Sequence, residues 1–247
     1  MSRFVVVGLV AGLLSGMFGV GGGILIVPGL MWLTSMEQKR AHGTSLAAVL
    51  PIALCGLVTY IANDHVNVGA VVTLTAGSLV GTVLGTAWLA RAPKRLLSLV
   101  FAGVLTLSAA RLVFELDTAT QHALTLGSGA VLVTTGVIAG VLAGLLGIGG
   151  GVIMVPVMML VLGVSPVVAK GTSLAVIVPT AIIGTWRNRR NLNVDMRAAG
   201  VVGLSGAGCA VVGAFIADRL PDRASNLLFA SLLLFLAGRL AMRQKTS

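Results

Sequence analysis

Charged residues are scarce in this chain of 247 residues. They make up 10% of it, against about 25% in an ordinary soluble domain. Hydrophobic residues account for 57%, and the mean hydropathy is +1.04. Several apolar runs reach the roughly 20 residues that a helix needs to cross about 30 Å of hydrocarbon. The sequence therefore predicts an all-α polytopic membrane protein embedded in the lipid bilayer.

Acidic and aromatic residues are too few, or wrongly placed, for several classes of protein. A cation pump or a carboxylate proton relay needs an acid deep in its bundle, yet every carboxylate lies in or beside a predicted loop: Glu37, Asp64, Glu115, Asp117, Asp195, Asp218 and Asp222. The net charge is +10 but only 4% of residues are aromatic, so the basic face with interleaved aromatics of a nucleic-acid binder is missing. No nucleic-acid partner is expected.

Cysteine, metal-ligand and catalytic patterns are also lacking. Cys55 and Cys209 stand singly in apolar segments, where they are expected to pack as small apolar side chains. No paired catalytic acids, clustered His and Cys ligands or nucleotide-binding loop is present. We therefore expect neither an enzyme nor a bound metal or cofactor, and any transport would be driven by ion or proton gradients.

Glycine, by contrast, is abundant, and much of it belongs to a repeat. Residues 8–28, GLVAGLLSGMFGVGGGILIVP, align with residues 136–156, GVIAGVLAGLLGIGGGVIMVP, at an offset of 136 − 8 = 128. The same offset aligns AHGTSLAAVLP (41–51) with AKGTSLAVIVP (169–179). The chain is thus a duplicated half, with homologous halves at 1–122 and 123–247 that form one integrated transmembrane domain.

Each half is predicted to hold four helical segments, the first broken by its glycines. The predicted segments are 4–33, 42–62, 68–90 and 95–115 in the first half, and 125–162, 170–187, 197–217 and 223–242 in the second.

Two topologies are open. If the first segment crosses as one broken helix, the halves are parallel and the basic residues split almost evenly between the two sides. If it enters, turns at the glycines and returns, the halves are inverted, and only Arg111, Lys170, Arg219 and Arg223 lie opposite all the other basic residues. The positive-inside rule favours the inverted arrangement.

The glycine clusters are the leading candidates for a binding site. Helix-breaking backbone near the middle of a membrane is tolerated only where it lines a cavity or is buried in protein. A helix that begins after such a break points unpaired amides and the positive end of its dipole at the site, and this favours an anion. Close helix packing is the alternative role of these glycines. The predicted substrate-binding glycines are Gly21, Gly22, Gly23, Gly149, Gly150 and Gly151.

The repeated GTSLA element adds polar candidates. Thr44, Ser45, Thr172 and Ser173 are expected at a helix start, where they either cap the helix or donate to an oxyanion. His42 and Lys170 precede these elements as candidate attracting cations.

At these paired motifs the sequence resembles the TauE/SafE sulfite exporter family, also called the toluene sulfonate uptake permease family. The resemblance covers essentially the whole chain, including Asn191 to Asp195 and the degenerate mate Asn63 to Asn67. It implies a polytopic protein of the inner (plasma) membrane that moves small sulfur-containing anions such as sulfite, sulfoacetate or sulfonates.

Three functions fit these observations. The leading hypothesis is a secondary transporter that exports sulfite or an organosulfonate, with the paired glycine turns as its central site. An uptake permease for a related anion would have the same sequence features. The third is a non-transporting membrane scaffold, which would use its glycines only for packing. The expected partners are a small anionic substrate and the lipid bilayer, and a homo-oligomer is left open.

Overall fold

The computed structural model describes residues 1–88, 106, 109–110, 126–147 and 149–245. Within these residues the regular structure is entirely helical, which confirms the all-α fold class. The helices are α1 (Ser2–Phe18), α2 (Gly23–Leu33), α3 (Gln38–Ala62), α4 (Val68–Trp88), α5 (Leu126–Leu146), α6 (Gly151–Leu162), α7 (Pro166–Arg190), α8 (Met196–Arg219) and α9 (Asp222–Lys245). The predicted segment 95–115 lies outside the described residues except at 106, 109 and 110. Residues 115–122, which link the two predicted halves, also lie outside them.

Five of the described helices are long and apolar enough to cross a membrane. Their candidate spans are Lys39–Ala62, Val68–Ala87, Gly127–Leu145, Pro166–Arg190 and Met196–Arg219. Large apolar side chains lie exposed on their outer faces, such as Val58 at 66% and Leu204 at 74%. A face of this kind is stable against lipid, so the exposed surface is that of a multi-pass membrane protein.

The first segment of each half is two helices. Helix α2 folds back along α1, because Arg3 Nη1 at the start of α1 donates a 2.8 Å hydrogen bond to the carbonyl of Leu33 at the end of α2. Halfway along, a β-carbon built on Gly29 would lie 3.0 Å from the Val7 side chain. At the turn itself, Gly22 approaches Ala11 of α1, and in the second half Gly150 approaches the equivalent Ala139 of α5. The chain therefore reverses direction at each glycine turn.

The two halves interlock through small residues. Helix α1 runs parallel to α8, since Gly12 approaches Gly206 and Gly16 approaches Ala210. The equivalent pair, α4 and α5, is also parallel, with Gly77 against Val133 and Gly81 against Val137. A β-carbon on Gly12, Gly16, Gly77 or Gly81 would lie under 2.5 Å from a backbone atom of the neighbouring helix. Only glycine permits such close helix packing.

Helices α3 and α7 cross at the centre and run antiparallel. Gly43, near the start of α3, approaches Asn193, just after the end of α7. Gly56, nearer the end of α3, approaches Leu174, in the first part of α7. Between them Leu46 contacts Gly184. Each half thus contributes its GTSLA helix to the middle of the bundle.

Both GTSLA helices begin earlier than the sequence predicts, at residues 38 and 166 rather than 42 and 170. Helix α7 is started by Ser165, whose side chain accepts a hydrogen bond from the Val168 amide, and by Pro166 in the first turn. Proline is well suited to this position because its fixed φ is helical and its missing amide has no partner to lose. The threonines and serines of GTSLA are consequently inside the helices, and their predicted role as N-terminal caps is wrong.

Candidate functional site

The two glycine turns have the same backbone. In the first, Gly19, Gly21 and Gly22 have φ values of 68°, 76° and 73°. In the second, Gly147, Gly149 and Gly150 have φ values of 67°, 86° and 76°. An L-residue with a side chain pays roughly 1–2 kcal/mol to enter this left-handed region. Three such positions within four residues explain why each motif contains so many glycines.

Each turn is wedged against the GTSLA helix of the other half. A β-carbon on Gly19 would lie 2.6 Å from Lys170 Cα, and one on Gly147 would lie 2.6 Å from the His42 carbonyl oxygen. The turns also meet each other, because a β-carbon on Gly151 would lie 2.5 Å from the Gly19 carbonyl oxygen. Gly21 faces Val49 and Ile177, two equivalent buried residues of the central helices. The turns therefore come together near the middle of the bundle.

Helices α2 and α6 begin at these turns without a side-chain cap. Their N-cap residues are Gly22 and Gly150, and neither end is capped by a side-chain hydrogen bond. The amides of residues 21–24 and of residues 149–152 donate no hydrogen bond to any other described residue. All eight residues are buried. Each turn thus presents unpaired donors at the positive end of a helix dipole, which is a suitable environment for an anion.

Two serines hold the turns in place. Ser45 Oγ donates a 2.9 Å hydrogen bond to the Gly147 carbonyl, and Ser173 Oγ donates a 2.8 Å hydrogen bond to the Gly19 carbonyl. Each serine therefore fixes the glycine turn of the opposite half. In this arrangement its hydroxyl proton is used in the bond to the turn. The predicted role of Ser45 and Ser173 in substrate binding stays a prediction.

The two threonines anchor the loops that follow the central helices. Thr44 Oγ1 accepts a 2.9 Å hydrogen bond from the Asp195 amide, and Thr172 Oγ1 accepts one of the same length from the Asn67 amide. The side chains of Asp195 and Asn67 in turn cap α8 and α4, accepting from the Ala198 and Ala70 amides. Each GTSLA element thus binds two parts of the other half, a glycine turn through its serine and a loop through its threonine.

Lys170 and His42 occupy equivalent buried positions beside the turns, at 1% and 8% exposure. Lys170 Nζ bonds to the Ser225 hydroxyl on α9 and lies 5.8 Å from the centroid of the Phe18 ring. The Phe18 ring in turn stacks on Phe229, with 5.6 Å between the centroids. A buried cationic side chain within a membrane bundle is expensive to maintain and usually has a function.

Each half contains a glycine turn and a GTSLA serine that holds the turn of the other half. The match to a family model covers both halves as well. The model described as Sulfite exporter TauE/SafE matches residues 1–112 and 132–247. The chain belongs to the TauE/SafE family. The predicted resemblance is therefore confirmed, and with it membrane transport as the general function of the family.

Two relatives of this TauE/SafE chain are described as probable membrane transporter proteins. Probable membrane transporter protein YunE of Bacillus subtilis (strain 168) is 29% identical over 212 residues, which cover 73% of this chain and 75% of that protein. A probable membrane transporter protein of Xylella fastidiosa (strain Temecula1) is 40% identical over 97 residues, 38% of this chain and 37% of that protein. No solved structure matches. Family and candidate spans together confirm a multi-pass protein of the plasma membrane.

All twelve predicted site residues of the TauE/SafE chain are buried within the bundle. One polar residue in the same region was missed by sequence reasoning. Ser15, in the last turn of α1, is 1% exposed, and its hydroxyl has no hydrogen-bond partner among the described residues. The repeat alignment contained a signal for it, since Ser15 is a polar residue in an apolar helix whose mate in the second half is Ala143.

Proposed function

We propose that this TauE/SafE chain is a secondary transporter of a small sulfur-containing oxyanion, sulfite or an organosulfonate, and that it works as an exporter. The observation that carries the proposal is the pair of buried, unpaired amide sets at residues 21–24 and 149–152. Buried amides without partners are rare in folded proteins, because each one loses its hydrogen bonds to water. An oxyanion supplies several acceptors at once and would satisfy them.

The charges of the described helices support an anion over a cation. Among the described residues, every carboxylate lies in a loop or at a helix end. A cation path through the membrane would want an acidic residue near its middle. The helix ends at Gly22 and Gly150 instead point positive dipoles at the centre, as discontinuous helices do in transporters that bind anionic groups.

The helix directions support an inverted arrangement of the two halves, 1–122 and 123–247, within one domain. Equivalent helices α3 and α7 run antiparallel. This is the relation that a twofold axis in the membrane plane produces, whereas an axis along the membrane normal would make the two helices parallel. Inverted repeats around a central site support alternating access, in which one half rocks against the other.

Cysteine labelling in intact cells tests this arrangement. Lys39→Cys and Arg187→Cys should both react from the cytoplasmic side, since the positive-inside rule assigns the basic end of the bundle to the cytoplasm. Arg219→Cys, at the far end of α8, should react only from the outside and serves as the opposite reference. Labelling of residues 39 and 187 from different sides would contradict the inverted arrangement.

Flux into and out of proteoliposomes tests the function. Purified protein should move sulfite, sulfoacetate or methanesulfonate under an imposed pH gradient or voltage, and the preferred direction under each gradient separates export from the alternative, an uptake permease. Gly149→Ala should abolish most of this flux, because a methyl group there enters the turn beside the amides. Its β-carbon has ordinary contact distances of 3.4 Å or more, so its main cost is the roughly 1–2 kcal/mol of the left-handed backbone, and the protein should still fold.

The matched control for this variant is Gly208→Ala, where a β-carbon on α8 would meet nothing within 4 Å. It should leave flux unchanged. No flux of any anion in any gradient would favour the scaffold alternative. Flux that Gly149→Ala leaves intact would remove the glycine turns from the transport site.

A further inference from the structure

The Ser15 hydroxyl is buried inside the bundle and lacks a hydrogen-bond partner among the described residues. Ser15 is 1% exposed and its Oγ has no hydrogen-bond partner in the described part of the chain. Other buried hydroxyls on these helices bond to the carbonyl four residues back, as Thr82 does to Ser78 and Thr180 to Val176. Ser15 does not do so. A hydroxyl buried in this way without a partner is unfavourable by roughly 1–3 kcal/mol, so its retention calls for a reason.

Ser15 lies directly against the first glycine turn. Its carbonyl accepts a 2.8 Å hydrogen bond from the Gly19 amide, which closes the end of α1. On the other side of the turn, a β-carbon built on Gly22 would lie 3.4 Å from Ser15 Cβ. Gly22 is the N-cap of α2. The unused hydroxyl therefore neighbours the unpaired amides of residues 21–24.

The second turn has no such hydroxyl. The position equivalent to Ser15 is Ala143, because 15 + 128 = 143. The glycines with positive φ and the serines that hold the turns are the same in both halves. Ser15 is thus a donor that one turn has and its duplicate lacks.

We propose that the Ser15 hydroxyl binds the transported anion directly and makes the first glycine turn its preferred binding site. The inference rests on the proposed function and adds a specificity-determining residue to that site. The first amides of α2 and the Ser15 hydroxyl belong to residues in contact at the turn, so together they would supply donors to different oxygens of one pyramidal or tetrahedral oxyanion. The second turn, with amides alone, binds the same anion more weakly.

Binding of radiolabelled sulfite to purified protein tests this inference through three variants. Ser15→Ala should weaken binding about tenfold, since a hydrogen bond to a charged group is lost. Ser15→Ala combined with Ala143→Ser moves the hydroxyl to the second turn and should restore part of the affinity. Ala143→Ser alone should bind sulfite at least as well as the unaltered protein.

Thermal unfolding without ligand separates this role from a structural one. Removing an unpaired buried hydroxyl leaves no acceptor unsatisfied, so Ser15→Ala should have an unchanged or slightly higher Tm in the absence of sulfite. A fall in Tm that accounts for the lost binding would overturn the inference in favour of a packing role.

Gly21→Ala, in the first turn, is measured in parallel and keeps the two proposals apart. If the unaltered protein binds sulfite, Gly21→Ala reduces binding and Ser15→Ala binds as tightly as the unaltered protein, the Ser15 inference fails and the proposed function stands. If the unaltered protein binds neither sulfite nor methanesulfonate, the proposed function itself fails.

Discussion

The two glycine turns share a backbone but differ in the side chains around it. Gly22 and Gly150 have φ values of 73° and 76°, and each is the uncapped start of a helix. Around the first turn are the side chains of Ser15 and Lys170, both buried. Around the second, the equivalent positions are Ala143 and His42. The two turns thus share their backbone geometry and differ in the chemistry of the side chains beside them.

This difference matters because the turns lie beside the centre of the molecule. In a fully symmetric dimer of repeats, an anion near the axis would meet the same donors from both sides. A hydroxyl and a lysine side chain beside one turn alone give an anion different partners at the two turns. The elements that are equal, namely the glycines and the serines that hold them, should therefore control stability and access, and the unequal ones should control affinity.

The largest effects are expected at the shared N-cap glycines. Gly22→Ala and Gly150→Ala place a side chain in the left-handed region, at about 1–2 kcal/mol. In addition, their β-carbons would lie 2.8 Å and 2.9 Å from the carbonyl oxygens of Ala11 and Ala139. We expect both variants to lose flux and to unfold at clearly lower temperature in detergent, by similar amounts. If one of the two variants keeps its flux and its unfolding temperature while the other loses them, the two turns are not equivalent in structure.

The glycine breaks and the overall class were predictable because they depend on local chain properties. Apolar run lengths indicate the helices, and consecutive glycines indicate where one must end. The predicted starts of α3 and α7 are wrong because the polar residues His42 and Lys170 were taken as the first residues of these helices, which begin at residues 38 and 166. In the structure they are buried by contact with the glycine turns of the other half, at Gly147 and Gly19. Such a contact is invisible until the halves are packed together.

The roles of the site hydroxyls were harder to foresee for the same reason. Ser45 and Ser173 were predicted as caps or anion ligands. They are not caps, because each hydroxyl bonds to a carbonyl more than 100 residues away, and their role as anion ligands stays a prediction. A repeat identifies which residues are equivalent, yet it does not say which partner each meets. Ser15 is hard to predict because a repeat draws attention to what its halves have in common, and Ser15 is a difference between them.

The next largest difference should appear between the middle glycines of the two turns. A β-carbon on Gly21 would lie 3.2 Å from methyl groups of Val49 and Ile177, whereas on Gly149 its nearest contact is 3.4 Å. Both positions have positive φ, so both alanine variants are strained. We expect Gly21→Ala to lower the Tm further than Gly149→Ala. Equal Tm values would show that Val49 and Ile177 move aside easily, and that the first turn is no more tightly packed than the second.

A smaller and equal effect is expected at the serines that hold the turns. Ser45→Ala and Ser173→Ala each leave a buried glycine carbonyl without its donor, which should lower the free energy of unfolding by about 1–3 kcal/mol. Ser231→Ala is the control, since its hydroxyl bonds only within its own exposed helix turn. Unfolding of the three variants in detergent provides the comparison. Unequal losses at residues 45 and 173 would mean that one turn depends on its serine more than the other.

The smallest effect should come from the loops anchored by the GTSLA threonines. Asp195 forms a 2.9 Å ion pair with Arg40, and the two side chains are 28% and 54% exposed. Its mate Asn67 caps α4 in the same manner as Asp195 caps α8, but with an uncharged side chain. Asp195→Asn therefore removes only the ion pair and keeps the cap.

An exposed ion pair contributes about 0.2–1 kcal/mol and is screened by salt. The stability of Asp195→Asn should accordingly fall within that range at low salt and approach that of the unaltered protein at high salt. Asp195→Ala also loses the cap, so it should be less stable by about 1 kcal/mol more at every salt concentration. If Asp195→Asn is as unstable as Asp195→Ala, the carboxylate has a role that Asn67 does not share, and the two loops differ in chemistry as the two turns do.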